Sequence, residues 1–252
     1  MSITLSLYGF LIMLGACAAY MATAFILREH RKNKLSFSIS LESVLLSLVI
    51  SGALGGRALF VLYHLPYFIE YPLEIPAIWH GGWVWHGALF GGGAALYIHA
   101  RMNRISFLRL ADVIAPGLAL GQAIGRWGNY FNQEAYGFAT TLPWGIYIEP
   151  DNRLAGHEQF EYFHPAFLYE SLWDIALFTL LFTLAFRTRR VLIAPGIIFS
   201  LYLILYSVGR FGIELLRIDV VPVFAGLRSP QWISLILIAA GIRLLQKQRK
   251  VV

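Results

Sequence analysis

Four residues, Tyr206, Arg210, Glu214 and Arg217, recur at spacings of 4, 4 and 3 in an otherwise apolar stretch. On an α-helix that spacing stacks side chains on one face, which lets Glu214 pair with Arg210 and Arg217 together. Two cations against one anion leave a net positive stripe, which suits an anionic ligand; a purely structural ion-pair ribbon is the alternative. A second polar block runs Gly121-Gln122-Ala123-Ile124-Gly125-Arg126-Trp127-Gly128-Asn129-Tyr130-Phe131-Asn132-Gln133-Glu134. Arg126, Asn129 and Gln133 are expected to share a helical face, while Gly121, Gly125 and Gly128 allow another backbone or a lipid headgroup to come close. Glycines so spaced are often only packing devices. An arginine, two asparagines, a glutamine and a glutamate within nine residues exceed what packing needs. In a third block, residues 79–93, His86 stands among glycines and Trp79, Trp83 and Trp85. The tryptophans read as an interfacial belt, and His86 could serve there as a general base, with a structural histidine as the alternative. His164 is the other histidine that stands out.

These residues need elements to carry them, and composition says which. The chain has 252 residues, 58% hydrophobic and only 13% charged, with mean hydropathy +0.64. That lies far from soluble domains, which are about 25% charged. Crossing about 30 Å of hydrocarbon takes roughly 20 mostly apolar residues. Seven stretches qualify, near 5–27, 41–62, 84–100, 107–128, 166–186, 194–216 and 230–246. The expected fold is an all-α polytopic membrane protein, a single bundle of about seven transmembrane helices. Residues 63–83, rich in proline and aromatics, read as arms in the interface. Residues 131–165 read as a small head between spans four and five, with an alternating strand pattern at Trp144–Glu149.

The net charge of +6 raises the possibility of a nucleic-acid partner. Fourteen of the 20 Lys and Arg residues, however, fall after spans one, three, five and seven, on one side of an alternating bundle. The positive-inside rule makes that side cytoplasmic, with the N-terminus and the head outside. The basicity is topological, and no nucleic-acid partner is expected. No Lys or Arg precedes the first apolar run, so a cleaved signal peptide is not expected. Cys17 is the sole cysteine, which excludes an intramolecular disulfide and a cysteine-rich metal site; among small residues it reads as packing.

Six arginines remain that topology does not explain: Arg57, Arg126, Arg153, Arg210, Arg217 and Arg228. Arg57, Arg126 and Arg210 fall within expected spans. Three unpaired central charges would cost about 8–10 kcal/mol on insertion scales, so they need a polar cavity, a partner or a ligand. Arginine suits bidentate contact with carboxylate or phosphate. Internal ion pairing with the few intramembrane acids is the competing account, and for Arg57 a structural role is the alternative to binding substrate.

The motifs together resemble the prolipoprotein diacylglyceryl transferase family. The resemblance rests on Tyr8-Gly9, Gly55-Gly56-Arg57, His86-Gly87, the block Gly125–Gly137, His164-Pro165-Ala166-Phe167-Leu168-Tyr169-Glu170, Gly209–Arg217 and Gln231-Trp232-Ile233-Ser234, in the family's order over nearly the whole chain. Ala88, where the family often has glycine, is a small departure. The resemblance implies a seven-span inner-membrane enzyme. Its expected reaction moves the diacylglyceryl group of phosphatidylglycerol to the lipobox cysteine of preprolipoproteins, forming a thioether and releasing glycerol 1-phosphate. Tyr8, His86, Arg126, Asn129, Glu134, Arg210 and Glu214 inherit functional status from it.

That chemistry is displacement at a glycerol carbon by sulfur. A free thiol is only a few per cent ionised at neutral pH, so a base is useful, and His86 is the candidate. Departing phosphate gathers negative charge that preorganised cations stabilise, a clamp assigned to Arg126 and Arg210. Asn129 would hydrogen-bond the headgroup and Glu214 would orient Arg210. Glu134 would bind glycerol hydroxyls or be the base instead. Tyr8, Asn132, Arg217 and Arg57 complete the expected substrate-binding set. No metal or other cofactor is expected, and the protein is expected to be a monomer. The rival from another class is a transporter or channel for an anionic solute, which also explains intramembrane arginines; the internal repeat common in transporters is not found.

Overall fold

The computed structural model describes residues 3–32, 39–77, 81–187 and 194–249; the side chains of residues 3–6, Trp85, His86 and Arg249 lie outside the described set. In chain order the helices are α1 (Ile3–Lys32), α2 (Leu41–Tyr63), α3 (Leu65–Glu70), α4 (Trp85–Met102), α5 (Phe107–Gly125), α6 (Trp127–Phe131), α7 (Ala166–Arg187), α8 (Ile197–Glu214) and α9 (Ser229–Arg249). Each of the seven apolar stretches is therefore helical. Among the described residues, five segments are long and apolar enough to cross a membrane: Leu7–Lys32, Leu41–Tyr63, Phe107–Phe131, Ala166–Arg187 and Ile197–Glu214. The other two long helices are more polar: α4 carries four glycines, two histidines and Arg101, and α9 closes on Gln-Lys-Gln-Arg. Cys17, expected among packed residues, is instead exposed along α1.

Packing divides the chain into two compact units, one holding residues up to Ser36 and from Asp112 onward, the other Phe37–Ala111. In the smaller unit α2 and α4 meet through small residues. A Cβ on Gly55 would strike Gly87 and one on Gly91 would strike Ser51, so the two backbones touch only because these side chains are missing. Arg57 is buried at 7% exposure and reaches back from α2 to the loop that precedes α4. Its Nε donates to Ile75 O (2.9 Å), Nη1 to Gly81 O (2.6 Å) and Gly82 O (3.3 Å), and Nη2 to Glu74 O (2.5 Å). The side chain expected to bind substrate is therefore spent on four carbonyls. It holds down the expected arm, whose Leu73 and Ile69 are 90% and 72% exposed.

In the larger unit α1 crosses α5 at Gly15 and Gly121, where a Cβ on Gly15 would lie 2.8 Å from Gly121 O. The N-terminus of α8 is closed by a residue far away in sequence. Gly196 takes a left-handed φ of 101°, and the Asp112 carboxylate accepts from Gly196 N (2.6 Å) and Phe199 N (2.8 Å), which satisfies donors that a helix start leaves orphaned. Between α6 and α7 the chain is non-helical apart from a single 3₁₀ turn at Pro150–Asn152. Here β1 (Ile146–Tyr147) pairs antiparallel with β2 (Tyr162–Phe163), Ile146 opposite Phe163, which is shorter than the expected strand. Tyr136, Ile148 and Phe163 form its core, and Arg153 ties it together through Ile148 O (2.9 Å) and Glu158 O (2.9 Å). A second hairpin, β3 (Val223–Phe224) with β4 (Leu227–Arg228), links α8 to α9. Its turn residues Ala225 and Gly226 both have positive φ, as a two-residue hairpin turn requires.

Candidate functional site

The polar block after α5 does not continue as one helix. Gly125 ends α5, Arg126 stands at the junction, and α6 lasts only five residues. Past Phe131 the backbone turns sharply, with Gln133 (φ 51°) and Ala135 (φ 58°) both left-handed on either side of Glu134. Residues with a Cβ resist this region, and such strain collects at functional sites. The expectation that Gln133 shares a face with Arg126 and Asn129 is thereby corrected. Gln133 Oε1 instead accepts from Glu149 N (2.7 Å) and Asn152 Nδ2 (3.1 Å), bracing the loop.

The turn folds Glu134 back over Asn129. Its N–H donates to Asn129 O (3.0 Å), while Asn129 Nδ2 donates to Glu134 Oε1 (2.9 Å) and Asn132 Nδ2 reaches the same oxygen (3.3 Å). Both amides serve one carboxylate oxygen. Tyr8 joins this group from α1. Its ring lies against Gly128, where a Cβ would collide with it, and its hydroxyl is within electrostatic reach of Glu134 and Arg126. Glycine at 128 is therefore what lets α1 bring a phenol to the block. Trp127 Nε1 donates to Ser171 Oγ (3.2 Å), whose own proton goes to Ala123 O (2.9 Å), anchoring the junction to α7.

Four of the six unexplained arginines converge on one buried cluster. Its centre is Glu170 on α7, 4% exposed, a residue that sequence reasoning quoted inside a motif but gave no role. Glu170 Oε2 pairs with Arg126 Nε and Oε1 with Arg210 Nη1, and Arg217 Nη1 lies 3.4 Å from Oε1. Glu214, fully buried, pairs with Arg210 Nη2 (2.6 Å) and Arg228 Nε (2.7 Å), and Arg217 Nε lies 3.9 Å away. The signal that could have found Glu170 was an acid within an apolar span, seven residues into a motif with no basic neighbour.

Two further expectations are corrected here. Arg217 is not on the helix with Arg210 and Glu214: α8 ends at Glu214, and Arg217 lies in an isolated bridge to Gly137. Nor is the stripe two cations against one anion. Asp219 pairs with Arg217 Nε (2.8 Å) and approaches Arg228 Nη2 (3.5 Å), so four guanidiniums face three paired carboxylates. Burial by itself would raise the Asp219 carboxyl, but the hydrogen bond and charge of Arg217, with Arg228 behind it, hold it below the usual carboxylate range. Arg228 also closes the chain turn, donating to Arg217 O and Asp219 O (both 2.7 Å). Arg126 keeps its side chain 24% exposed and lies within electrostatic reach of Tyr206.

His164 and Tyr169 stand beside this cluster in sequence. Trp144 Nε1 donates to Tyr169 Oη (2.9 Å), which also shares a hydrogen bond with His164 Nδ1 (3.0 Å). The three side chains fasten the β1–β2 segment to α7. His86 lies in the first turn of α4, its side chain outside the described residues.

Long apolar helices around a buried ionic cluster, with amides, a phenol and an exposed carboxylate near it, define a helical membrane protein with a polar cluster held among its helices. The chain belongs to the prolipoprotein diacylglyceryl transferase family, whose model matches residues 1–246. It is 41% identical over 242 residues to a phosphatidylglycerol–prolipoprotein diacylglyceryl transferase of Nostoc sp., covering 95% of this chain and 84% of that one. The proteins of that name from Synechococcus elongatus and Gloeobacter violaceus are 47% identical over 198 residues (77% and 68% covered) and 42% over 235 (93% and 85%).

Proposed function

We propose that the protein transfers the diacylglyceryl group of phosphatidylglycerol to the lipobox cysteine of preprolipoproteins, forming a thioether and releasing glycerol 1-phosphate. The observation that carries this reading is the meeting of Arg126 and Arg210 on Glu170, beside Asn129 and Glu134. The sulfur–carbon bond forms as the carbon–oxygen bond to phosphate breaks. The electron pair leaves on a phosphate oxygen, and the thiol proton goes to a base. Arg126 and Arg210 stabilise the charge on the departing phosphate, with Glu170 and Glu214 fixing their planes. Asn129 and Asn132 set Glu134, whose carboxylate accepts a glycerol hydroxyl, and Tyr8 contacts the headgroup. Arg217 acts through Glu170 and Glu214. His86 is assigned as the base on the chemistry of a thiol alone.

In this reading all seven long helices span the bacterial cytoplasmic membrane, N-terminus outside and C-terminus within, and residues 131–165 form an extracytoplasmic head at the active-site side. The exposed apolar arm around Leu73 lies in the interface, and the protein acts as a monomer. The rival, an anion transporter, is set aside because the relatives matched are named as transferases. The test incubates membranes holding the protein with phosphatidylglycerol and a lipobox peptide. A thioether product that disappears with Arg126→Ala supports the transferase; anion flux without peptide modification overturns it.

A further inference from the structure

One buried acid of the larger unit has no part in the chemistry above. Asp174 lies one turn beyond Glu170 on α7 and is 2% exposed. Among the described residues it makes no ion pair, and its Oδ2 is buried without a hydrogen-bond partner. The groups within its electrostatic reach are Arg126 from the α5–α6 junction, Glu170 on its own helix, and Tyr202, Tyr206 and Arg210 from α8. It therefore feels both arginines of the proposed clamp while being bound to neither.

Its place matters through the charge tally. Arg126, Arg210, Arg217 and Arg228 contribute four positive charges, and Glu170, Glu214 and Asp219 three negative ones. An ionised Asp174 brings the cluster to neutrality; a protonated one leaves it at plus one. A phosphodiester carries one negative charge. Placed in the neutral cluster it would leave an uncompensated charge at low dielectric, where such imbalance is costly. Placed in the cluster at plus one it restores neutrality. Protonating Glu170, Glu214 or Asp219 would serve the tally equally but would release guanidiniums that each of them holds. Asp174 holds none.

We propose that Asp174 is a positioning residue that matches the charge of the arginine cluster to its ligand, taking up one proton from solvent when a phosphodiester monoanion binds and returning it when the anion leaves. The inference rests on the transferase reading for its ligand, not for its geometry.

The test measures the KM for phosphatidylglycerol at saturating lipobox peptide between pH 5.5 and 9. One coupled proton makes the wild-type KM rise with pH by up to about tenfold per unit. Asp174→Asn, permanently neutral, is expected to have a KM that is flat across this range and no higher than the wild-type value at low pH, while Asp174→Glu keeps the slope. A second measurement needs neither turnover nor a variant: wild-type protein in nanodiscs is titrated with phosphatidylglycerol in weak buffer with a pH indicator, where about one proton is taken up per lipid bound. A flat wild-type KM, an unchanged slope in Asp174→Asn, or binding without proton uptake overturns the proposal. Wild-type protein that binds the lipid with proton uptake but never forms a thioether overturns the transferase reading and leaves Asp174's role standing.

Discussion

Arg126 and Arg210 are bound to opposite oxygens of one carboxylate, Oε2 and Oε1 of Glu170. Arg126 comes from the break between α5 and α6, Arg210 from the fourth turn of α8, and α7 supplies the acid between them. The two cations separated by more than 80 residues are thus held as a pair by an anion that neither of their own helices provides.

Removing that anion should cost both fold and function. Breaking a buried ion pair from one side is worth about 3–5 kcal/mol, so Glu170→Ala is expected to unfold several degrees earlier in detergent. Glu170→Gln, which keeps the shape, should retain more of the stability and still lose activity. Thermal unfolding alongside thioether formation separates the two effects, and a fully active Glu170→Gln would show that the pairing is incidental.

The guanidinium plane, and not its charge alone, is what the geometry uses. Arg210 spans Glu170 and Glu214 with two nitrogens, a bridge that one ammonium cannot make. Arg210→Lys and Arg126→Lys are each expected to lower kcat by about 10²–10³, the usual loss for a missing transition-state donor. Near-normal turnover in either lysine variant would refute the clamp.

Tyr8 should be movable from a distance. A methyl group on Gly128 occupies the space of the Tyr8 ring, so Gly128→Ala is predicted to raise the KM for phosphatidylglycerol in the way that Tyr8→Phe does. The double variant should be no worse than the worse single one, because both act on one contact. Additive losses would assign Gly128 a separate role.

Asp219 gives the cluster an acid limit. Its folded pKa is depressed, so it contributes stability that is complete above the unfolded carboxylate value of about 3.9 and is lost as pH falls through the lower folded value. Asp219→Asn should lower Tm at pH 7, and the gap to wild type should narrow progressively as pH falls below about 3.9. Melting curves across that descent check this; a gap that does not narrow at all would mean that Asp219 acts through packing.

The membrane character and the helices were determined by local chemistry. Apolar runs long enough to cross hydrocarbon have one way to satisfy their backbone, and each of the seven became a helix. Subtracting the topological Lys and Arg also isolated six arginines, four of which the fold gathers into one cluster, because a buried cation is tolerated only where something answers it. Spacing could not say what answers it. Glu170 belongs to another helix, Asp219 and Arg228 to the chain beyond α8, and only the packing of α7 against α8 and the hairpin after it brings them together. The same holds for Glu134: helical periodicity put Gln133 beside Asn129, but two left-handed residues turned the backbone and set Glu134 there instead. Periodicity extends only as far as a helix does, and the partners of a charge are chosen by contacts between elements distant in the chain.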